Sequence, residues 1–212
     1  MIDINKSTII WVSSIIIFIG AVIGASFYLG SNSNQGGDQS NHPAEHHEGQ
    51  SVYEDKFNAL VSKQAPDFTL NSYDDKKITL SSQKGKKVVL FFTEGVMCYP
   101  SCWNQITAFG KDDVFKKEDT VVFSIVVDTK NEWKRAIDKM PELGATTVLF
   151  DSSKTISKEY GVLSLPSSMH KGQFPGHTYL VIDKEGVVRF IKDDPQMAIR
   201  NDELKTELEK LN

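Results

Sequence analysis

The hydrophobic positions of the chain form one long run near its start and several short runs after residue 50. The long run covers residues 8–30, a stretch of 23 residues without a charged side chain and with an aromatic residue near each end. At about 1.5 Å per helical residue, such a segment can cross a hydrocarbon layer of ~30 Å. A cleaved signal peptide would have a shorter apolar part, so the pattern favours an uncleaved membrane anchor.

The charges that flank this run predict its orientation. Lys6 precedes the run, and no lysine or arginine follows it before Lys56. The positive-inside rule then places the N-terminus in the cytoplasm. We therefore expect a single-pass protein of the cell membrane whose C-terminal part is extracytoplasmic.

The segment after the run has a different composition. Residues 31–50 are rich in Gly, Ser, Asn and Gln, contain no large apolar residue, and include His42, His46 and His47. This composition is typical of a flexible tether, in which the histidines are either solvated or available to a transition metal. The predicted organisation is a cytoplasmic terminus (1–7), an anchor (8–30), a linker (31–50) and one folded domain (51–212).

The folded domain alternates strand and helix patterns, which predicts an α/β fold with a sheet flanked by helices. Continuous runs of β-branched and aromatic residues mark buried strands, and amphipathic patterns follow several of them. The predicted strands are 87–93, 120–127, 147–150, 178–182 and 187–191, and the predicted helices are 102–109, 131–139, 153–160 and 201–211.

The net charge and the cysteine content exclude some classes of function. The formal net charge is only −4 and no basic stripe is present, so nucleic acid is not an expected partner. The chain has two cysteines, Cys98 and Cys102. A disulfide scaffold needs several cysteines spread along the chain, so this pair indicates a local dithiol. The alternative is two small buried core residues.

The position of the dithiol suggests a role for each sulfur. Cys98 follows a predicted strand and is expected to begin a helix, where free N–H groups and the helix dipole favour the thiolate. Cys98 is therefore the predicted nucleophile, and Cys102, one turn later, is placed to resolve a mixed disulfide or a sulfenic acid. Pro100 suits a first helical turn. Thr93, Glu94 and Pro100 are the predicted supporting residues, with Glu94 either a proton acceptor or a solvated carboxylate.

Four segments resemble the redoxin and peroxiredoxin (AhpC/TSA-type) branch of the thioredoxin superfamily. They are the Ala-Pro-Asp-Phe-Thr-Leu stretch at 65–70, the Val-Val-Leu-Phe-Phe strand before the dithiol, residues 151–162, and residues 177–186. The resemblance covers about residues 60–192 and implies a thioredoxin-like fold with a central mixed sheet. It also implies an antioxidant thiol-dependent oxidoreductase that acts on a protein disulfide or a hydroperoxide, uses an external thiol reductant and needs no cofactor.

The chain departs from this family in two places. The peroxidatic motif has Thr or Ser three residues before the cysteine and Pro seven before, where this chain has Gly95 and Phe91 relative to Cys98. The Cys-x-x-x-Cys spacing is similar to that of copper-delivery proteins of cytochrome oxidase assembly, which share the fold and use a distant histidine ligand. His177 stands where thioredoxins have a cis-proline and many peroxiredoxins an arginine.

His177 is accordingly a predicted site residue with three open roles. It can pair with a thiolate as imidazolium, shuttle a proton, or join Cys98 and Cys102 as a copper ligand. His170, beside Met169 in the loop 163–176, is either a further soft-metal contact or solvated. The main hypothesis is an extracytoplasmic thiol–disulfide oxidoreductase or thiol peroxidase. The alternatives are a copper-binding or copper-delivery protein and an interaction domain with a structural disulfide.

Overall fold

Seven strands form one mixed sheet in the computed structural model, which describes residues 54–211. The order across the sheet is β2-β1-β5-β4-β3-β6-β7. Strands β3, β4 and β5 run parallel, and β6 lies antiparallel to β3. The strands are β1 (Thr69–Ser72), β2 (Lys77–Thr79), β3 (Lys87–Phe92), β4 (Thr120–Val126), β5 (Thr147–Phe150), β6 (Thr178–Ile182) and β7 (Val188–Asp193).

Four α-helices accompany these strands in the described residues after β1, and residues 54–58 are also helical. The helix after β4 has a complete capping box, in which the side chains of Thr129 and Glu132 each accept from the other's backbone N–H. Short 3₁₀ turns lie between the elements, one of them at Gly95–Met97. The helices are α1 (Ser101–Lys111), α2 (Lys130–Lys139), α3 (Thr155–Glu159) and α4 (Asn201–Glu209).

Strand β3 is the centre of the core, because all six of its residues are buried. Successive side chains of a strand point to opposite faces, so β3 contributes to two apolar clusters. Val89 and Phe91 belong to the cluster that contains both cysteines. Leu90 and Phe92 belong to the cluster on the other face. The dithiol is therefore built onto the hydrophobic core rather than onto a surface loop.

The predicted α/β fold with a mixed sheet is confirmed, with corrections at several boundaries. The β1–β2 hairpin was not predicted, and β7 runs two residues further than the predicted 187–191. Helix α3 is shorter than the predicted 153–160, because residues before Thr155 form a turn in which Asp151 accepts from the backbone N–H groups of Ile156 and Ser157. The predicted stop at Gly161 is confirmed by its left-handed backbone, φ 72°.

The predicted anchor and linker, residues 8–50, lie outside the described residues. Within residues 54–211 no helix combines the length and the apolar character needed to cross a membrane.

Candidate redox site

Cys98 and Cys102 are joined by a disulfide, with their Cα atoms 5.3 Å apart. The site follows the carboxyl end of β3, and the two cysteines are 3% and 0% exposed, respectively. The prediction that the two residues form a local pair is confirmed. Both cysteines are therefore part of the buried core.

The start of the helix differs from the prediction. The 3₁₀ turn Gly95–Met97 ends at Cys98, Pro100 occupies the N-cap position, and α1 begins at Ser101. The expectation that Cys98 begins the helix is wrong, as is the placement of Pro100 within the first turn. Cys102 is instead the second residue of α1, so the helix-terminus field that favours a thiolate acts on Cys102.

His177 lies beside Cys102, with 3.4 Å between its Nδ1 and the Cys102 Sγ. It directly precedes β6, and the antiparallel register, in which Thr178 lies opposite Phe92, brings it to the end of β3. Its Nε2 is 3.2 Å from the carbonyl oxygen of Ala198, which can only accept. Nε2 therefore carries the proton, and the lone pair of Nδ1 faces the sulfur.

Burial lowers the pKa of His177 to about 4, because the buried pocket disfavours the imidazolium; the negative charge of Asp194 opposes this shift only in part. In the oxidised protein His177 is therefore neutral near pH 7. Of the three predicted roles, a neutral imidazole with a free Nδ1 suits a proton acceptor or a metal ligand. An imidazolium forms here only together with a thiolate, whose charge would stabilise it.

A buried network, which the sequence analysis did not identify, holds the imidazole in place. The Tyr179 hydroxyl lies 2.7 Å from His177 Nε2 and donates to Gln105 Oε1 over 2.9 Å. The backbone N–H of Arg200 donates to the same Gln105 oxygen over 2.8 Å. Phe91 stacks on Tyr179 with 4.8 Å between ring centroids. No local sequence pattern predicts this network, because the partners of Gln105 lie about 75 and 95 residues further along the chain.

Glu94 is buried and anchors the loop 163–176. Its Oε1 accepts from the backbone N–H of Met169 over 2.7 Å and from that of His170 over 3.1 Å. Its Oε2 lies 3.1 Å from His170 Nδ1. The solvated-carboxylate alternative is therefore wrong, and the hydrogen bonds of the Glu94 carboxylate join it to the loop rather than to the dithiol. Thr93, also buried, accepts from the Gly95 N–H through its hydroxyl over 3.3 Å.

We expect Glu94→Gln to loosen this loop. The amide keeps the size of the side chain but loses the charge that two backbone N–H groups and an imidazole nitrogen share. A loss of about 1–2 kcal/mol in loop closing corresponds to roughly 5–30-fold faster exchange of the Met169 and His170 amide protons, measured by native-state hydrogen exchange. The amides of the β3 strand are the internal control, and unchanged exchange in the loop would contradict this role.

Asp128, at the end of β4, supports the turn ahead of Cys98. Its Oδ2 accepts from the Val96 N–H over 3.1 Å. Gly95 has a left-handed backbone, φ 65°, and a Cβ at this position would lie 1.7 Å from Asp128 Oδ2. Only glycine fits this close approach. Burial, which outweighs the Val96 hydrogen bond, raises the pKa of Asp128 to about 6.

Asp128→Asn should stabilise the protein at pH 7.5 more than at pH 4.5. The pKa of Asp128 in the folded protein lies above its ordinary value of 3.8. The contribution of the protonated carboxyl to the free energy of unfolding is therefore complete below pH 3.8 and is lost as the pH rises through 6. At about 1.36 kcal/mol per unit, the ionised carboxylate costs on the order of 2–3 kcal/mol, which the asparagine avoids. Denaturant unfolding at both pH values measures the difference. Asp202→Asn, at a side chain 99% exposed, is the control and should show no pH-dependent gain.

The structure brings three predicted metal ligands together. One donor atom from each of Cys98, Cys102 and His177 lies within 4.8 Å of the others. Two sulfurs and one imidazole nitrogen are donors suited to Cu(I), once the disulfide is reduced. His170 is turned toward Glu94, and the linker histidines lie outside the described residues.

The mixed sheet, with a disulfide between the end of its central strand and the following helix, defines a domain of the thioredoxin fold. The family comparison gives the particular branch. The AhpC/TSA family profile matches residues 61–191, and the chain belongs to this family. The predicted resemblance is thereby confirmed.

Relatives and solved structures agree with this assignment. The chain is 38% identical over 127 residues to chloroplastic peroxiredoxin Q of Triticum aestivum, covering 59% of this chain and 55% of that protein. It is 35% identical over 149 residues to peroxiredoxin-2 of Mus musculus, covering 63% of this chain and 69% of that protein. The chain thus spans only about half the length of the plant relatives that it matches.

Among solved structures, the mitochondrial 2-Cys peroxiredoxin of Plasmodium falciparum matches with a TM-score of 0.59 and 27% identity, covering 71% of this chain and 93% of that one. The reduced 2-Cys peroxiredoxin of Plasmodium vivax matches with a TM-score of 0.58 and 25% identity, covering 69% and 78%.

Proposed function

We propose that the domain is a thiol peroxidase of the peroxiredoxin type, in which Cys102 attacks the hydroperoxide and Cys98 resolves the product. The observation that carries this proposal is the position of Cys102, the disulfide partner of Cys98. Cys102 lies in the first turn of α1, and the distance from its sulfur to His177 Nδ1 is 3.4 Å. Membership of the AhpC/TSA family supports the reaction class. This assignment exchanges the nucleophile and the resolving residue predicted from the sequence, because Cys102 rather than Cys98 lies in the first turn of the helix.

The first half of the reaction uses the neutral imidazole. In the reduced protein, His177 Nδ1 accepts the proton of the Cys102 thiol, and the resulting thiolate attacks the distal oxygen of the hydroperoxide. The O–O bond breaks, Cys102 becomes a sulfenic acid, and the alkoxide leaves as the alcohol after taking up the proton. The Cys98 thiol then attacks the sulfenic sulfur, which forms the disulfide and releases water.

The second half of the reaction is reduction of this disulfide by an external dithiol. The reductant delivers two electrons and two protons and leaves as its own disulfide. A protein disulfide is the other substrate open to the same dithiol, and it would be reduced by the same exchange chemistry. The setting that we propose is extracytoplasmic, with residues 8–30 as the anchor, on the strength of the uncharged apolar run alone. Extraction of membranes with carbonate would release the chain if this part were wrong.

The test is steady-state consumption of hydroperoxide by the full chain in detergent micelles with dithiothreitol as reductant. We expect turnover that needs Cys102, whereas Cys98→Ser should turn over only as fast as dithiothreitol itself attacks the Cys102 sulfenic acid. Equal consumption of peroxide by the wild type and by the double Cys98→Ser, Cys102→Ser variant would overturn the proposal. Substitution of an oxidised peptide disulfide for the peroxide would separate peroxidase activity from general disulfide reductase activity.

A copper-binding function is the second candidate, favoured by the three donor atoms within 4.8 Å. In this function reduced Cys98 and Cys102 would hold Cu(I) together with His177. The chain would then retain one copper per dithiol against a moderate chelator and lose it in His177→Ala. Failure to retain copper would exclude this function, whereas copper that shields both thiols from peroxide would place it ahead of the peroxidase.

A further inference from the structure

Several exposed apolar side chains belong to segments that contribute residues to the redox site. Among the described residues, five large hydrophobic side chains are exposed, and four of them adjoin the redox site along the chain or through a hydrogen bond. Two of these flank Cys98 directly. The four, which we call the apolar rim, are Met97, Tyr99, Met169 and Ile199, with exposures of 49%, 65%, 61% and 55%.

The other two rim residues come from distant parts of the chain. Met169 belongs to the loop that Glu94 holds through the Met169 backbone N–H. Ile199 follows Ala198, whose carbonyl oxygen accepts from His177. Three separate segments thus present an exposed apolar side chain next to residues of the site. Exposed apolar surface beside a functional site is typical of a contact surface for another molecule.

A groove that includes the rim residue Tyr99 lies along helix α2. It has a volume of about 490 Å³, and Tyr99 and Trp103, which pack edge-to-face, lie along it with Val96 and Met140. Val96 and Tyr99 lie on either side of Cys98 in the chain and Trp103 directly follows Cys102, so the groove adjoins the disulfide along the chain. Its volume is larger than the reacting atoms of a hydroperoxide require and accommodates side chains of a polypeptide segment.

The charged residues that line the groove indicate the charge of the polypeptide segment that would bind there. Arg135 and Lys139 line it, both are exposed, and no carboxylate of the described residues forms an ion pair with either. The one acid that lines the groove, Glu132, is engaged at the start of α2, where its carboxylate accepts from the backbone N–H and the hydroxyl of Thr129. Glu132 also attracts Arg135 electrostatically, so the groove holds two cations against one acid. Its net charge is positive and complements negative charge on a partner.

We propose that the apolar rim and this groove form the docking site for a protein reductant, which presents an acidic residue and an apolar side chain beside its dithiol. This inference rests on the proposed function and adds the chemistry of the electron donor. A low-mass thiol would make little use of the rim. Hydroperoxides, whose reacting part is small, need neither the rim nor the two cations.

The surroundings of Cys102 set the direction of the exchange. The partner thiolate attacks Cys98 Sγ and a mixed disulfide forms, because the departing Cys102 thiolate is then the one beside the α1 terminus and His177. The Cys102 sulfur leaves as a thiolate and takes up a proton. The second thiol of the partner then attacks the partner's own sulfur in the mixed disulfide, which releases the Cys98 thiol. The partner leaves as a disulfide, so two electrons and two protons have passed to this protein.

The test compares three reductants on the oxidised full chain in detergent micelles. Two are synthetic peptides with the same Cys-x-x-Cys dithiol and tyrosine, one with two flanking glutamates and the other with two lysines, and the third is dithiothreitol. We expect the acidic peptide to reduce the wild-type disulfide about 10-fold faster than the basic peptide at low salt. The preference should disappear in the Arg135→Ala, Lys139→Ala double variant and in high salt.

Matched variants separate docking from folding and from chemistry. Lys63→Ala combined with Lys77→Ala removes the same charge at exposed positions elsewhere and should keep the preference. Met169→Ser should slow both peptides about 3-fold or more, by loss of apolar contact, and leave dithiothreitol unaffected. A missing preference in the wild type, or one that survives in the Arg135, Lys139 variant, would overturn the docking site. Failure of the proposed function would show itself differently, as an inability of peroxide to reform the disulfide.

Discussion

Cys102→Ser should abolish the rapid reaction with hydroperoxide, whereas Cys98→Ser should keep it for a single turnover. Cys102 lies in the first turn of α1 beside His177, and its thiolate is the attacking group in the proposed cycle. Loss of the nucleophile should lower the second-order rate constant by about 10³-fold or more. The Cys98→Ser variant should instead stop at the Cys102 sulfenic acid, which dimedone traps and mass spectrometry locates.

The opposite pattern would have a clear meaning. If Cys98 carried the sulfenic acid and Cys102→Ser stayed reactive, the order expected from the sequence would be right, and the helix terminus would not decide which sulfur attacks. Both variants lack the disulfide but keep a serine of nearly the same size. Their far-ultraviolet circular dichroism and unfolding midpoints, compared with those of the reduced wild type, control for folding.

His177→Gln should lower the rate of peroxide reduction about 10²–10³-fold, because the variant has no acceptor equivalent to Nδ1 at the Cys102 sulfur. The loss should shrink at high pH, where hydroxide deprotonates the thiol without help from the base. A purely structural role would give a loss that is independent of pH. Tyr179→Phe is the graded control, since it removes one partner of Nε2 but leaves the Ala198 carbonyl, and we expect a loss below about 10-fold.

The same substitution should change how stability depends on pH. The pKa of His177 in the oxidised folded protein, about 4, lies below its ordinary value of 6.5. The stability that comes from burying the neutral imidazole is therefore complete above pH 6.5 and is lost as the pH falls towards 4. The loss is on the order of 3 kcal/mol, which denaturant unfolding at pH 7 and pH 4 can measure. His177→Gln should remove this contribution, while that of Asp128, which has the opposite sign, stays.

The sequence predicts the core elements well because their signals are local. Strand β3 is a continuous apolar run, and burial on both faces requires that pattern. His177 could be placed at the site by its distance from the turn after β6, and the register of β6 on β3 bears this out. The β1–β2 hairpin gave no such signal, since its strands are short and largely exposed.

The details of the site depend on contacts that no local pattern contains. The chain between β3 and α1 takes a 3₁₀ turn at Gly95, where it meets Asp128 from the end of β4. Because of this turn, α1 begins at Ser101, and the cysteine in its first turn is Cys102 rather than Cys98. The partners of Glu94, likewise, lie about 75 residues away in the loop. Tertiary contacts thus decide which cysteine lies in the first turn of the helix, although the sequence identifies the pair.

The most direct test of the central claim is a rapid-mixing experiment on the fully reduced full chain with one equivalent of hydroperoxide, quenched at intervals and assayed for free thiols. The account predicts that both thiols disappear for each peroxide consumed, with a second-order rate constant at least about 10²-fold above that of free cysteine at the same pH. Thiols that react no faster than free cysteine, or a peroxide consumed without formation of the Cys98–Cys102 disulfide, would contradict it.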